Sequence, residues 1–147
     1  MSLLPRKGLL AIAAVVDVAL NARDRPVSAK ALAARHGLPP RHLEPVLQAL
    51  VHDGILRGVR GPHGGYALGR ERRRISIDDI VRAAATVRDR DEAPLASALI
   101  AGVVSPAVAE AERAFSGALA RISVDDLARR AESAVRSEDS AELNFTI

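Results

Sequence analysis

The segment Gly58-Val59-Arg60-Gly61-Pro62-His63-Gly64-Gly65-Tyr66 constrains this chain more than any other. Its four glycines and Pro62 specify a tight, bare hairpin loop, with Val59 and Tyr66 marking the strand ends. No bulky side chain keeps such a loop out of a groove, and Arg60 is its one long cationic probe. Placed directly after a helix-turn-helix pattern, the hairpin reads as a wing.

That pattern is built from ordinary helix signals. Leu9, Ile12, Ala13, Val16, Ala19 and Leu20 recur at helical steps, so a first amphipathic helix is expected over about Leu4 to Ala22. Ser28 is a good N-cap for a short helix through His36, and Gly37 supplies the left-handed residue that stops it. Ala33 followed by Gly37 has the spacing of a helix-turn-helix, where a small residue lets two helices approach and glycine makes the turn. Pro39-Pro40 fits only a first turn, so a third helix is expected from there to about Asp53. Its inner face is Leu43, Val46, Leu47 and Leu50. Its outer face presents Arg41, Glu44, Gln48 and His52, all able to reach a base edge or a phosphate. Gly54 ends it, Ile55 to Val59 and Tyr66 to Leu68 form the hairpin strands, and the basic run Arg70, Arg72, Arg73, Arg74 follows.

Ser76 and Asp79 have capping-box spacing for a fourth helix, Ile77 to about Val87. After a polar break at Arg88 to Pro94, Ser105-Pro106 is expected to open a long helix to about Ile122. Along it Val108, Ala111, Phe115, Ala118 and Ile122 step as in a seam between packed helices, and Leu119 joins them in the expected dimer interface. Ser123 and Asp126 start a last helix to about Val135, with a loose tail beyond. The expected fold class is mainly α with a small β-hairpin. It comprises a winged helix-turn-helix domain over 1–88, a helical dimerisation region over 89–135 and a flexible tail over 136–147.

Charge is unevenly spread along this plan. Met1 to Arg90 holds 16 Lys and Arg against 8 Asp and Glu, whereas Asp91 to Ile147 holds 5 against 10. The first part can face phosphate; the second is poorly suited to it. Aromatics supply only 2% of residues, so the core must be aliphatic and alanine-rich. The absence of cysteine excludes disulfides and clusters held by thiolates. No signal peptide opens the sequence, and the apolar run Leu95 to Val104 is too short to span a bilayer. A cytoplasmic location with no membrane partner is expected by default.

Leu43-Glu44 in the third helix and the run Val59 to Tyr66 resemble the winged helix-turn-helix repressors of the IscR and NsrR type, the Rrf family. Ile75 to Ala83 and, more loosely, the long helix with its Ile122 to Leu127 corner extend the resemblance. It implies a homodimer whose winged domains are joined by crossed long helices and which binds an imperfect palindrome in double-stranded DNA. On the matching positions Arg60 would enter the minor groove and Glu44 would read the major groove beside Arg41 and His42. The expected DNA-contacting set is Ser28 and Lys30, then Arg41, His42, Glu44 and Gln48, then Arg60, Gly61, His63, Gly64, Gly65 and Tyr66. Two features depart from the family. Cysteines that hold an iron–sulfur cluster in many members are missing, so no cofactor is carried over. Pro45 stands where relatives keep a hydrogen-bonding residue; inside a helix it costs about 3 kcal/mol or kinks the axis, re-aiming Arg41 and Glu44.

Plainer readings stand beside these. The wing glycines suit an ordinary hairpin, and Glu44 can pair with Arg41 as a solvated ion pair worth about 0.3–0.5 kcal/mol. The arginine run is either a solvated turn or a phosphate patch, and the alanine-rich seam is either intrachain core or an interface. His36, His42, His52 and His63 lack metal-ligand spacing, so no metal site is expected. Asp78-Asp79 and Asp125-Asp126 fall in first helical turns, where capping explains them better than catalysis. The function expected is sequence-specific DNA binding by a homodimeric repressor that is not an enzyme, with a small-molecule effector left open. The alternative is a winged-helix module that docks proteins and has lost specific DNA binding.

Overall fold

The structure is a computed structural model that describes residues 3–88 and 97–145. Helix α1 (Arg6–Asn21) places Ala11, Ala14, Val15 and Val18 on one face and buries them completely. α2 (Ala29–Arg35) starts at Ser28, whose hydroxyl accepts the Ala31 N–H at 3.0 Å. It stops before Gly37, which adopts φ +63° and lets the Leu38 N–H return to the Ala33 carbonyl at 2.9 Å. α3 (Pro40–His52) runs unbroken through Pro45 and buries Leu43, Val46, Leu47 and Leu50, the inner face its spacing predicts. Strands β1 (Leu56–Val59) and β2 (Gly65–Leu68) pair antiparallel with Val59 opposite Gly65. A 3-10 turn at Arg72–Arg74 leads into α4 (Ile77–Ala85), where both bonds of the Ser76–Asp79 capping box are formed.

The remaining helices, α5 (Ser105–Ala120) and α6 (Val124–Phe145), return to this core. Val124 is fully buried in it, and Ala128 is fully buried as well. The α5–α6 corner is fastened to the start of α4 by main-chain bonds, Ile77 N–H to the Ile122 carbonyl at 2.8 Å and Val124 N–H to the Ile75 carbonyl at 2.9 Å. Arg72 adds ion pairs to Asp125 at 2.7 Å and Glu132 at 3.5 Å. Buried Asp78 accepts from Arg82 at 2.8 Å and from the Ser116 hydroxyl, joining α4 to α5. Asp78 is thus an interhelical partner, and only Asp79 serves the cap.

Two segments differ from expectation. Ser105 is not an N-cap: it has helical dihedrals, φ −61° and ψ −45°, and a π turn at Ile100–Val104 feeds directly into α5. Pro106 has no N–H, and its ring crowds the carbonyl four residues back; the wider turn accommodates that proline inside a continuing helix. The last helix does not stop at Val135 but continues to Phe145. The sequence after Val135 contains no glycine or proline before the helix ends and supplies Glu, Ala and Leu, which favour helix. Beyond Arg88, the expected polar break lies outside the described residues.

One polar cluster interrupts the apolar interior. Asp17, only 7% exposed, accepts from Arg35 Nε at 2.8 Å and Nη2 at 2.6 Å, from Asn21 Nδ2 at 3.0 Å, and sits 3.0 Å from His36 Nε2. Burial pushes the Asp17 carboxyl up, but the hydrogen bonds from Arg35 and Asn21 and the charge of Arg35 outweigh it and hold the group below the usual carboxylate range. The bond to Asp17 raises Arg35 in turn. Asp17→Ala is expected to lower stability by about 1–3 kcal/mol, read from urea unfolding at neutral pH. Because the native carboxyl titrates below its unfolded value of about 3.9, its contribution is complete above that pH and is lost as pH falls through the native value. The gap between wild type and variant therefore closes on acidification; a gap independent of pH would contradict this account.

Candidate nucleic-acid interface

The outer face of α3 carries Arg41, Glu44, Gln48 and His52, all exposed. Neither Arg41 nor Glu44 forms an ion pair among the described residues, so the solvated Arg41–Glu44 pair is not made. At the wing tip the Gly64 N–H bonds the Gly61 carbonyl at 2.9 Å, closing a turn that leaves Arg60 and His63 in solvent. Gly61 adopts φ +124°, which glycine alone takes up readily.

The other wing residues are held for reasons internal to the fold. Tyr66 exchanges two main-chain bonds with Val27, at 2.9 and 2.8 Å, an isolated antiparallel bridge between β2 and the chain that leads into α2. A Cβ on Gly65 would lie 2.4 Å from the Val27 carbonyl oxygen, and one on Gly64 would lie 2.6 Å from that of Val59. Both glycines therefore permit close backbone approach. The Tyr66 ring is half-buried against the core. Ser28 follows Val27, so the wing is tied to the capped start of α2, where Lys30 is exposed.

These elements frame two clefts. One, of about 500 Å³, brings Ser28, His63 and Gly64 together with Arg25 and Arg35. The other, of about 530 Å³, opens between the starts of α1 and α3 and the end of α4; Arg41 and His42 line it with Arg6, Lys7 and Arg88 over a floor that includes Leu10, Leu38 and Val46. Among the described residues no carboxylate lines either cleft. Lys7 also donates to the Val87 carbonyl, joining α1 to the end of α4. Arg6, Lys7, Arg25 and Arg88 escaped the sequence reading because three separated elements assemble them; their sign was visible, their neighbourhood was not. Glu44, Gln48, Lys30, Arg60 and Gly61 line neither cleft.

The arginine run after the wing is satisfied within the chain. Arg72 pairs with Asp125 and Glu132, Arg73 with Glu71 at 3.2 Å, and Arg70 lies 3.8 Å from Asp79. Arg72 is the member drawn toward the body of the chain, whereas Arg73 and Arg74 share Glu71 and stay largely exposed. On the expected seam, Leu119 and Ile122 pack on the chain's own core and Phe115 is half-buried, whereas Val108, Ala111 and Ala118 are exposed. Leu99, Val103 and Val104 extend this exposed apolar surface upstream.

A model of the Rrf2 family, described as an iron-dependent transcriptional regulator, matches residues 4–130. Over 80 residues the chain is 38% identical to the HTH-type transcriptional regulator IscR of Xenorhabdus nematophila and 36% identical to that of Cronobacter sakazakii, each alignment covering 54% of this chain and 49% of the relative. The chain thus spans about half the length of the curated relatives it matches. Among solved structures it is similar to T. potens IscR, with a TM-score of 0.69, 29% identity and 89% of both chains covered. CymR, the global cysteine regulator of B. subtilis, gives a TM-score of 0.66 at 24% identity, covering 88% of this chain and 98% of that one, a likeness of fold.

Thiolates cannot carry the iron dependence in that description here. The chain has no cysteine, and among the described residues no three His, Cys, Asp or Glu side chains converge on a common point. A thiolate-held iron centre has no ligands here. The wing geometry carries its own test. Gly65→Ala is expected to destabilise the protein by about 1–3 kcal/mol through the clash with Val27. Gly58→Ala, which enters open space, should stay within about 1 kcal/mol of wild type. Equal unfolding midpoints for the two variants would refute the close-approach argument.

Proposed function

Since the chain belongs to the Rrf2 family of transcriptional regulators, which are not enzymes, we propose that it binds double-stranded DNA as a cytoplasmic homodimer and represses transcription from a palindromic operator. The observation that carries this reading is the α3 start: Arg41, unpaired and exposed, opens onto a cleft whose other permanently charged lining residues, Arg6, Lys7 and Arg88, are all cations. A surface that concentrates positive charge without a carboxylate favours a polyanion.

In this arrangement α3 lies in the major groove. Arg41 grips guanine or phosphate and Glu44 accepts from a cytosine amino group. Arg60 enters the adjacent minor groove, where Gly61 lets the backbone come close. Arg6, Lys7 and Arg88 on one side, and Arg25, Ser28 and His63 on the other, hold flanking phosphates and set the register of the base contacts. The exposed apolar residues Leu99, Val103, Val104 and Val108 supply the surface on which two copies meet, and two-fold symmetry then presents two recognition helices to two half-sites.

Fluorescence anisotropy against an operator selected from random duplexes tests the reading. Arg60→Ala is expected to lower specific affinity tenfold or more, a loss of about 1.4–3 kcal/mol. Arg6→Ala and Arg88→Ala should weaken all sequences alike, each reducing the slope of log affinity against log salt by about one. Binding that is weak and indifferent to salt would instead favour a protein-docking module. Separately, Val103→Asp with Val108→Asp is expected to yield monomers in sedimentation velocity; an unchanged dimer would remove α5 from the interface.

A further inference from the structure

α3 contains a proline where helices rarely tolerate one. Pro45 lies five residues beyond the first residue of a helix that continues to His52. It removes the N–H that would bond the Arg41 carbonyl, a loss that costs an α-helix about 3 kcal/mol. Packing gives nothing back, because Pro45 is exposed while Leu43, Val46, Leu47 and Leu50 carry the burial of α3. Nor does Pro45 start or stop the helix.

Its position on the helix is informative. At 3.6 residues per turn, Arg41, Pro45, Gln48 and His52 fall within about 60° of one another, with the ring at the edge of the outer face beside His52 and Arg41, where it also lines the basic cleft. Arg41 and Gln48 bring donors to that face and Glu44 brings acceptors, whereas the pyrrolidine ring brings neither. Most recognition groups on base-pair edges in the major groove are donors or acceptors, which an apolar ring would strip of water without replacing it. The thymine C5-methyl is the apolar substituent among them.

Resting on the DNA-binding reading above, we propose that Pro45 is a specificity-determining residue that reads one thymine per half-site through its methyl group. The helix tolerates Pro45 because that contact, and not the helix, is what the residue serves. Pro45→Gln restores the missing N–H and introduces a better helix former, so the variant folds at least as well as wild type.

The test uses the full chain and the duplex it selects from a random pool. Each thymine of that duplex is replaced in turn by deoxyuridine, which lacks only the methyl group. One position per half-site is expected to lose about fourfold in affinity, the value of a single buried carbon. In Pro45→Gln that sensitivity disappears, and selection at the same position turns toward adenine, which glutamine can bond twice, with other positions unchanged. Deoxyuridine tolerated at every position, or sensitivity that persists in Pro45→Gln, overturns the assignment while leaving DNA binding intact. Failure of the wild-type chain to select any duplex overturns the DNA-binding reading itself, and this inference with it.

Discussion

Removing a carboxylate from water is costly, and Asp17 is held inside the helical core because Arg35, His36 and Asn21 surround it with polar partners. Arg35 ends α2 and His36 caps it, immediately before the left-handed Gly37. The geometry of this one group therefore sets how α2 leaves α1 and, through the turn, where α3 begins. Apolar contacts between alanine-rich helices can slide with little penalty. A bidentate bond to a buried acid cannot, so the least oily residue of the interior gives the helix-turn-helix its definite angle.

A second constraint acts on the wing. Two main-chain bonds between Val27 and Tyr66 join β2 to the residue before the α2 cap, and Gly65 lets the two backbones come close enough to form them. Asp17 thus fixes the far end of α2 while Val27 and Tyr66 fix the near end. The wing, α2 and α3 form a single framework that carries both clefts; Arg35 is held by Asp17, whereas Arg41 and Arg60 form no ion pair among the described residues.

Much of this framework was legible in the chain. Ser28, Gly37, Pro39-Pro40 and the Ser76–Asp79 box act through local geometry, and each marks its helix boundary to within a residue or so. The hairpin was legible for the same reason. What was not legible depends on residues distant in sequence. Asp17 is the single charged residue between Gly8 and Leu20, a signal that something must neutralise it, yet nothing local names Arg35 as the partner. By its position Asp78 reads as part of a first-turn acidic pair, but in space the Ser116 hydroxyl donates to it. Arg72 reads in sequence as part of either a solvated turn or a phosphate patch, but Asp125 and Glu132 pair with it. The basic cleft has the same origin, since Arg6, Arg41 and Arg88 become neighbours only when α1, α3 and α4 pack.

Pro106 reads as the opening of a helix because proline suits a first turn, and the structure instead keeps the helix going by widening the turn before it. That widening has a geometric effect further along. A π turn takes in one residue more than an α turn, so everything upstream is rotated about the axis by about 100° relative to an uninterrupted α-helix. Without the offset, Leu99 and Val103 would point nearly opposite to Val108. With it, Val103 comes to within about 40° of Val108 and Leu99 to within about 80°. How near the exposed apolar residues of this helix lie to one another is thus a matter of phase as much as of composition: one proline, through a change of helical pitch over five residues, shifts which side chains approach a common face.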